Sequence, residues 1–316
     1  MRIAIEDEQQ IAVLRELEPV VAENINRHLS VVKNWNPHDY VPWSQGRDFA
    51  LLGGEDWTPE QSTMDPVVRA SLVVNLLTED NLPSYHRDIA VTFGRDAAWG
   101  EWVNRWTAEE ARHGIALRDY LVVTRVLDPV DLERRRMLHM AAGTTNEPEG
   151  VLENLAYVSF QELATRLSHR NTGAATGCPI GEQLLARIAA DENLHMIFYR
   201  NLVSAGLEVA PDDMLVAIRN AVVNFEMPGA NQPDFHRYSV QIANSGIYDL
   251  RLHHDKVLMP VLRHWRIFER TNFSARGEAV REELHQFLRA LDERASRFVA
   301  RREQRQARTA AMAGQS

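Results

Sequence analysis

The chain has 316 residues, 45% of them hydrophobic and 25% charged, and carries a net charge of −9 at pH 7. That balance fits a globular protein with a sizeable core, and the acidic excess argues against a general nucleic-acid binder. Cys178 is the only cysteine, which excludes an intrachain disulfide and a thiolate metal cage.

Helical periodicity dominates the chain, and runs of alternating β-branched residues are scarce. Residues 8–32 predict an amphipathic helix that ends before Asn34-Trp35-Asn36-Pro37. Residues 34–65, rich in Pro, Gly, Asp and Trp, predict an irregular connection. Asp65-Pro66 supplies an N-cap and a proline at the first helical position, opening a helix toward Gly94 that contains Pro83. A second long helix is expected over 97–126, with Asp128-Pro129 beyond it. A third runs from near Glu149 to His169, with Asn171 and Gly173 as stops. A fourth follows Pro179 and ends around Gly206. Residues 211–226, 247–268 and 277–305 also read as helical, with a break at 227–236.

This organisation predicts an all-α protein with a single domain over 1–305 and a disordered tail over 306–316. No apolar run approaches the roughly 18 residues needed to cross a bilayer, and residues 1–10 lack a signal-peptide core. A cytoplasmic location is therefore the expectation. No phosphate-cradling glycine loop, Gly-x-Ser-x-Gly elbow or Cys-x-x-Cys pair occurs. Basic residues are nearly all arginine, the exceptions being Lys33 and Lys256, and residues 294–316 hold six arginines against one acid, Glu303.

Two segments contain Glu-x-x-His: Glu110 to His113 and Glu192 to His195. On a helix that separation puts carboxylate and imidazole on one face, about 5–6 Å apart at Cβ. Trp102, Trp106, Glu110, His113 and Leu117 share a stripe, as do Leu185, Ile188, Glu192, His195 and Tyr199. Charged groups on such interior faces need a partner, and a metal ion is the natural one. One occurrence alone is weak, as Glu282 to His285 repeats the pattern in a charged segment.

Spacing strengthens the case. Glu79 precedes Glu110 by 31 residues and Glu162 precedes Glu192 by 30, each pair fitting two antiparallel helices. Two glutamates plus two Glu-x-x-His motifs are the ligand set of carboxylate-bridged four-helix bundles. The 52 residues between Glu110 and Glu162 suit the long crossover of a ferritin-like bundle with additional flanking helices. Four carboxylates and two imidazoles suit two divalent ions of iron or manganese. Pro83, four residues after Glu79, predicts a kink at that ligand.

The flanking residues narrow the reading. Thr-Glu-Asp-Asn-Leu-Pro-Ser-Tyr at 78–85, Arg-Trp-Thr-Ala-Glu-Glu-Ala-Arg-His-Gly at 105–114, Ser-Phe-Gln-Glu-Leu-Ala-Thr-Arg-Leu-Ser-His at 159–169 and Ala-Asp-Glu-Asn-Leu-His at 190–195 carry the similarity. So do Trp35-Asn36-Pro37-His38-Asp39-Tyr40 and Asn244-Ser245-Gly246-Ile247-Tyr248. Over about residues 12–270 the chain resembles the soluble acyl-[acyl carrier protein] desaturases, especially their actinobacterial branch. The resemblance implies six iron ligands: Glu79, Glu110, His113, Glu162, Glu192 and His195, with Glu110 and Glu192 bridging. It implies an O₂-dependent oxidoreductase that places a cis double bond in a fatty acyl chain on acyl carrier protein. It further implies electrons from ferredoxin, a homodimer, a proton-delivery role for Thr165, and an electron route through Trp35 and Asp191 to His113. Another di-iron oxygenase, acting as hydroxylase or N-oxygenase, and an iron-binding non-enzyme are the alternatives on the same bundle. Candidate docking patches for the acidic partners are Arg134-Arg135-Arg136 and the arginine-rich tail.

Overall fold

The helices that open at Pro66, Leu82, Pro129, Pro179 and Pro211 begin with a proline in the first turn, and at Pro66 and Pro129 a capping aspartate precedes it. The computed structural model describes residues 8–143, 150–227 and 234–313, and no strand occurs among them. Helix α1 (Glu8–Val31) is followed by a connection containing four short 3₁₀ turns. Then come α2 (Pro66–Asp80), α3 (Leu82–Phe93), α4 (Ala97–Val123), α5 (Pro129–Ala142), α6 (Val151–Ala175) and α7 (Pro179–Val209). The chain ends with α8 (Pro211–Val223), α9 (Phe235–Ser245), α10 (Leu250–Leu252), a π turn (His253–Leu258), α11 (Met259–His264) and α12 (Ala275–Ala313).

Three differences from the sequence reading have local causes. The helix expected to reach Gly94 is two helices, broken at Asn81. Pro83 cannot sit inside a continuous helix without meeting the carbonyl of Glu79, so it occupies the first turn of α3. Helix α5 was not anticipated, because Asp128-Pro129 read only as a stop. It is equally a start: the Asp128 carboxylate accepts from the Val130 N–H at 2.9 Å and the Asp131 N–H at 3.4 Å. Helix α9, not among the expected helices, begins at Phe235, inside the break expected over 227–236, of which residues 228–233 lie outside the described residues. At the C-terminus, α12 continues through Ala313, a stretch of Ala, Arg and Gln with high helix propensity, and residues 314–316 of the expected tail are outside the described residues.

Helix α2 packs between α4 and α6, and α7 packs against both of these, closing a four-helix bundle. Helix α1 lies on α4 and α7, α8 on α6 and α7, and α12 on α8, while α5 and α9 cover α2. Inside the bundle two apolar layers form. One gathers Leu72, Leu76, Leu117, Leu121, Leu184 and Ile188. The other gathers Trp102, Trp106, Phe160, Phe198, Tyr199 and Leu202, with Trp102 stacked on Phe198 at 3.5 Å between centroids. Burying each such side chain contributes about 1.5–3 kcal/mol. Along α4 and α7 the glutamates and histidines of the two motifs lie between these layers.

Among the described residues, no helix is long and apolar enough to cross a membrane.

Candidate metal centre

All six sequence-predicted ligands converge and all are buried. Glu79 is the penultimate residue of α2. Helix α4 contributes Glu110 and His113, α6 contributes Glu162, and α7 contributes Glu192 and His195. They form two groups of four, each with ligand atoms lying within 4.8 Å of one another. Glu79, Glu110, His113 and Glu192 make the first, and Glu110, Glu162, Glu192 and His195 the second. Glu110 and Glu192 belong to both.

The inner nitrogen of each imidazole faces its group. His113 Nδ1 is 3.3 Å from Glu110, 3.5 Å from Glu79 and 3.6 Å from Glu192. His195 Nδ1 is 2.8 Å from Glu110, 3.5 Å from Glu192 and 3.6 Å from Glu162. The terminal carboxylates are oriented by further donors: Trp106 Nε1 donates to Glu162 at 2.9 Å, and His169 Nε2 to Glu79 at 2.8 Å.

The protein alone leaves this cluster unsatisfied. Glu110 Oε1, Glu162 Oε2, Glu192 Oε2, His113 Nδ1 and His195 Nδ1 are buried without a hydrogen-bond partner. Burial pushes the Glu192 carboxyl well above the usual range, and the charges of Glu110, Glu162 and Glu79 push it further. Burial likewise raises Glu110. Burial disfavours charged His113 and His195 too, yet the surrounding carboxylates together outweigh it (Glu110, Asp191 and Glu79 for the first, Glu109, Glu110, Glu162 and Glu192 for the second), and both imidazoles lie well above the ordinary histidine value. Orphaned oxygens and inward nitrogens around one point are what a buried metal site requires. These clusters can hold metal ions.

The chain matches the fatty acid desaturase family over residues 9–313. It belongs to that family. The desaturase is 51% identical, over 95% of its length and 92% of the relative's, to a Mycobacterium tuberculosis H37Rv protein named acyl-[acyl-carrier-protein] desaturase DesA1. It is 30% identical to stearoyl-[acyl-carrier-protein] 9-desaturase 2, chloroplastic, of Oryza sativa subsp. japonica, covering 91% of this chain and 78% of that one. Among solved structures, acyl-ACP desaturase DesA2 of M. tuberculosis H37Rv matches with a TM-score of 0.66 at 35% identity, covering 80% of this chain and 99% of that one. The expected ferritin-like helical fold is borne out, and the protein is an oxidoreductase.

The outer nitrogens of the two histidines show what sequence reasoning caught and missed in this desaturase. His113 Nε2 lies 3.5 Å from Asp191 Oδ2, which also accepts from Trp35 Nε1 at 2.6 Å. Burial would raise the Asp191 carboxyl, but His113 and Trp35 hold it down at about 2. Trp35 stacks against His113 with centroids 6.2 Å apart. The structure therefore brings Asp191 and Trp35 to the cluster. His195 Nε2 donates to Glu109 at 2.9 Å, and His28 Nε2 donates to the same carboxylate at 3.0 Å. Glu109 and His28 were not singled out. The signal for Glu109 was present, because it precedes Glu110 as Asp191 precedes Glu192. Each carboxylate holds the histidine of the opposite helix. The grouping of His28, Glu109 and His195 is thus a hydrogen-bonded support. Thr165 is buried, and its hydroxyl donates to the carbonyls of Gln161 and Glu162, both at 3.0 Å. The decoy pair, Glu282 and His285, sits 4.0 Å apart on the exposed face of α12.

Proposed function

We propose that this desaturase introduces a cis double bond into a fatty acyl chain carried on acyl carrier protein, using two iron ions, dioxygen and electrons from ferredoxin. The carrying observation is the pair of four-ligand groups that share Glu110 and Glu192. The printed names of the M. tuberculosis and rice relatives support the acyl-carrier-protein substrate. The bound iron pair supplies the redox chemistry that removes hydrogens from unactivated carbons, where side-chain acid–base chemistry has no acidic proton to work on. The ligand types also admit manganese.

The chain's own residues hold and insulate that chemistry. Glu79 and His113 would hold one ion and Glu162 and His195 the other, with Glu110 and Glu192 available to both. Asp191 and Glu109 orient the imidazoles from outside, so that each Nδ1 points inward. The apolar layers on either side exclude water. Trp35, Asp191 and His113 form the hydrogen-bonded chain that we assign to electron delivery. Thr165 assists proton delivery, for which its hydroxyl must leave the carbonyls of its own helix.

The protein acts in the cytoplasm as a homodimer. The outer face of α5 supports pairing, with Val130, Met137 and Leu138 exposed. Carrier docking falls to the arginines of α12. Arg134, Arg135 and Arg136 are engaged within the chain by Asp131, Asp234, Asp80 and Glu133, whereas Arg294, Arg301 and Arg308 have no partner among the described residues.

The test is anaerobic reduction of the iron-loaded protein with a series of acyl carrier proteins, followed by O₂ and product analysis. An olefin is expected. An alcohol or nitro product, or no olefin at full metal occupancy with any chain length, overturns the reading.

A further inference from the structure

On the surface between the end of α1, α6 and α7 lies an open cavity of about 350 Å³. Lys33, Arg166, Arg170 and Arg187 line it, and no Asp or Glu does. Its apolar lining comes from Val31, Ala186, Ala189, Ala190 and Leu194. Lys33, Arg166 and Arg170 have no ion-pair or hydrogen-bond partner among the described residues. Arg187 pairs with Asp191 through one terminal nitrogen, while its Nε is buried without a partner.

Arg166 and Arg170 stand one turn apart on α6, where like charges repel. Arg166 is half-buried, and burial followed by the charge of Arg170 lowers its guanidinium below the ordinary arginine value. On α5, by contrast, Arg136 packs against Asp80. Here Lys33, Arg166 and Arg170 converge without an acid among the described residues, and only Arg187 holds one, Asp191. An oxyanion removes both costs, by countering the repulsion and by accepting from guanidinium forks. The volume suits a small ligand rather than the flat face of a protein, and no aromatic lines the cavity to stack on a base.

We propose that this cavity binds a phosphate group, held by Arg166, Arg170 and Lys33, with Arg187 connecting it to Asp191 at the metal-binding cluster. The phosphate arrives either as a free phosphate or monoester, or as the phosphodiester of the prosthetic arm of a carrier protein. The site does not depend on the proposed reaction.

The experiment is calorimetric titration of the full-length protein with inorganic phosphate and, separately, with dimethyl phosphate, at constant ionic strength with chloride as reference. Saturable binding to one site per chain is expected for at least one probe, weakened at least about tenfold in the Arg166→Gln/Arg170→Gln variant, as losing two charge-assisted contacts implies. Preference for inorganic phosphate assigns a free phosphate or monoester, and preference for dimethyl phosphate assigns the prosthetic arm. The variant removes two unpaired like charges, so its melting temperature without phosphate should equal or exceed that of the parent. No saturable binding of either probe overturns the proposal, as does equal binding by the variant. Loss of donor-driven reduction in the variant without any phosphate binding also overturns it, in favour of an acidic protein surface.

Discussion

The two halves of the metal-binding cluster are alike inside and different outside. Each presents a terminal glutamate, an inward Nδ1 and the same two shared carboxylates. Behind His113, however, stands Asp191, joined to the Trp35 indole and to Arg187 and Arg112. Behind His195 stands Glu109, joined to Arg105 and to His28, which is completely buried. One half is wired to an indole and two arginines. The other is sealed on one side by a buried imidazole and reaches the partly exposed Arg105 on the other. A repeated motif can thus place two equivalent groups while the surrounding helices give them different neighbours.

The largest effect tests what the halves share. Glu192→Ala or Glu110→Ala removes a ligand from both groups at once, so metal content should fall below two ions per chain and activity to background. Elemental analysis beside circular dichroism separates ligand loss from unfolding. Two tightly bound ions in either variant would remove those carboxylates from the bridging role.

Next come the outer carboxylates, where the halves diverge. Asp191→Asn and Glu109→Gln should each weaken metal binding about 10–100-fold, the usual consequence of losing a carboxylate behind a ligating histidine. Only Asp191→Asn should also slow reduction by a protein electron donor, since only Asp191 reaches Trp35. Metal titration and stopped-flow reduction read the two effects separately. Equal slowing in both variants would break the comparison.

The convergence of the six inner residues was legible because helix geometry alone relates residues three apart, and because the offsets of 31 and 30 repeat. Burial separated them from the decoy at Glu282 and His285, which are both exposed on α12. The outer support was less legible. Glu109 could have been found from the symmetry with Asp191, but His28 lies 81 positions away on α1, and its approach depends on how α1 packs across α4 and α7. Helix α5 was hidden for a different reason: Asp-Pro marks an end and a beginning with the same two residues. The break at Asn81 was legible from Pro83, because a missing N–H and a steric ring act locally.

A smaller effect appears when metal is removed. The raised pKa values of His113 and His195 give stability that is present below the unfolded value near 6.5 and lost as pH rises through the folded value. Raised Glu110 and Glu192 shift stability in the same direction as pH rises. Glu79, Glu109 and Asp191 are held low, so their contributions are complete well below neutrality. The metal-free protein should therefore lose melting temperature between about pH 6.5 and 8, and metal loading should flatten or reverse that slope, because bound metal holds the ligands deprotonated. A metal-free melting temperature that rises over this range contradicts the electrostatics described for the cluster.

The smallest expected effect bears on the sealed half. His28 donates to Glu109, stacks near His195 at 5.9 Å and meets Trp102 edge-on at 5.2 Å. His28→Phe keeps a ring in that space and removes the donor. Glu109 retains His195 and Arg105, so the cost should be about 1–3 kcal/mol of stability, that of a buried carboxylate short of one hydrogen bond. Metal affinity should fall less than in Glu109→Gln, and His28→Gln, which restores a donor, should recover part of the loss. Thermal unfolding and metal titration measure both. If His28→Phe weakens metal binding as much as Glu109→Gln does, His28 governs the orientation of His195 as strongly as Glu109 itself. The sealed half would then rest on two outer groups, as the wired half rests on Asp191 and Trp35.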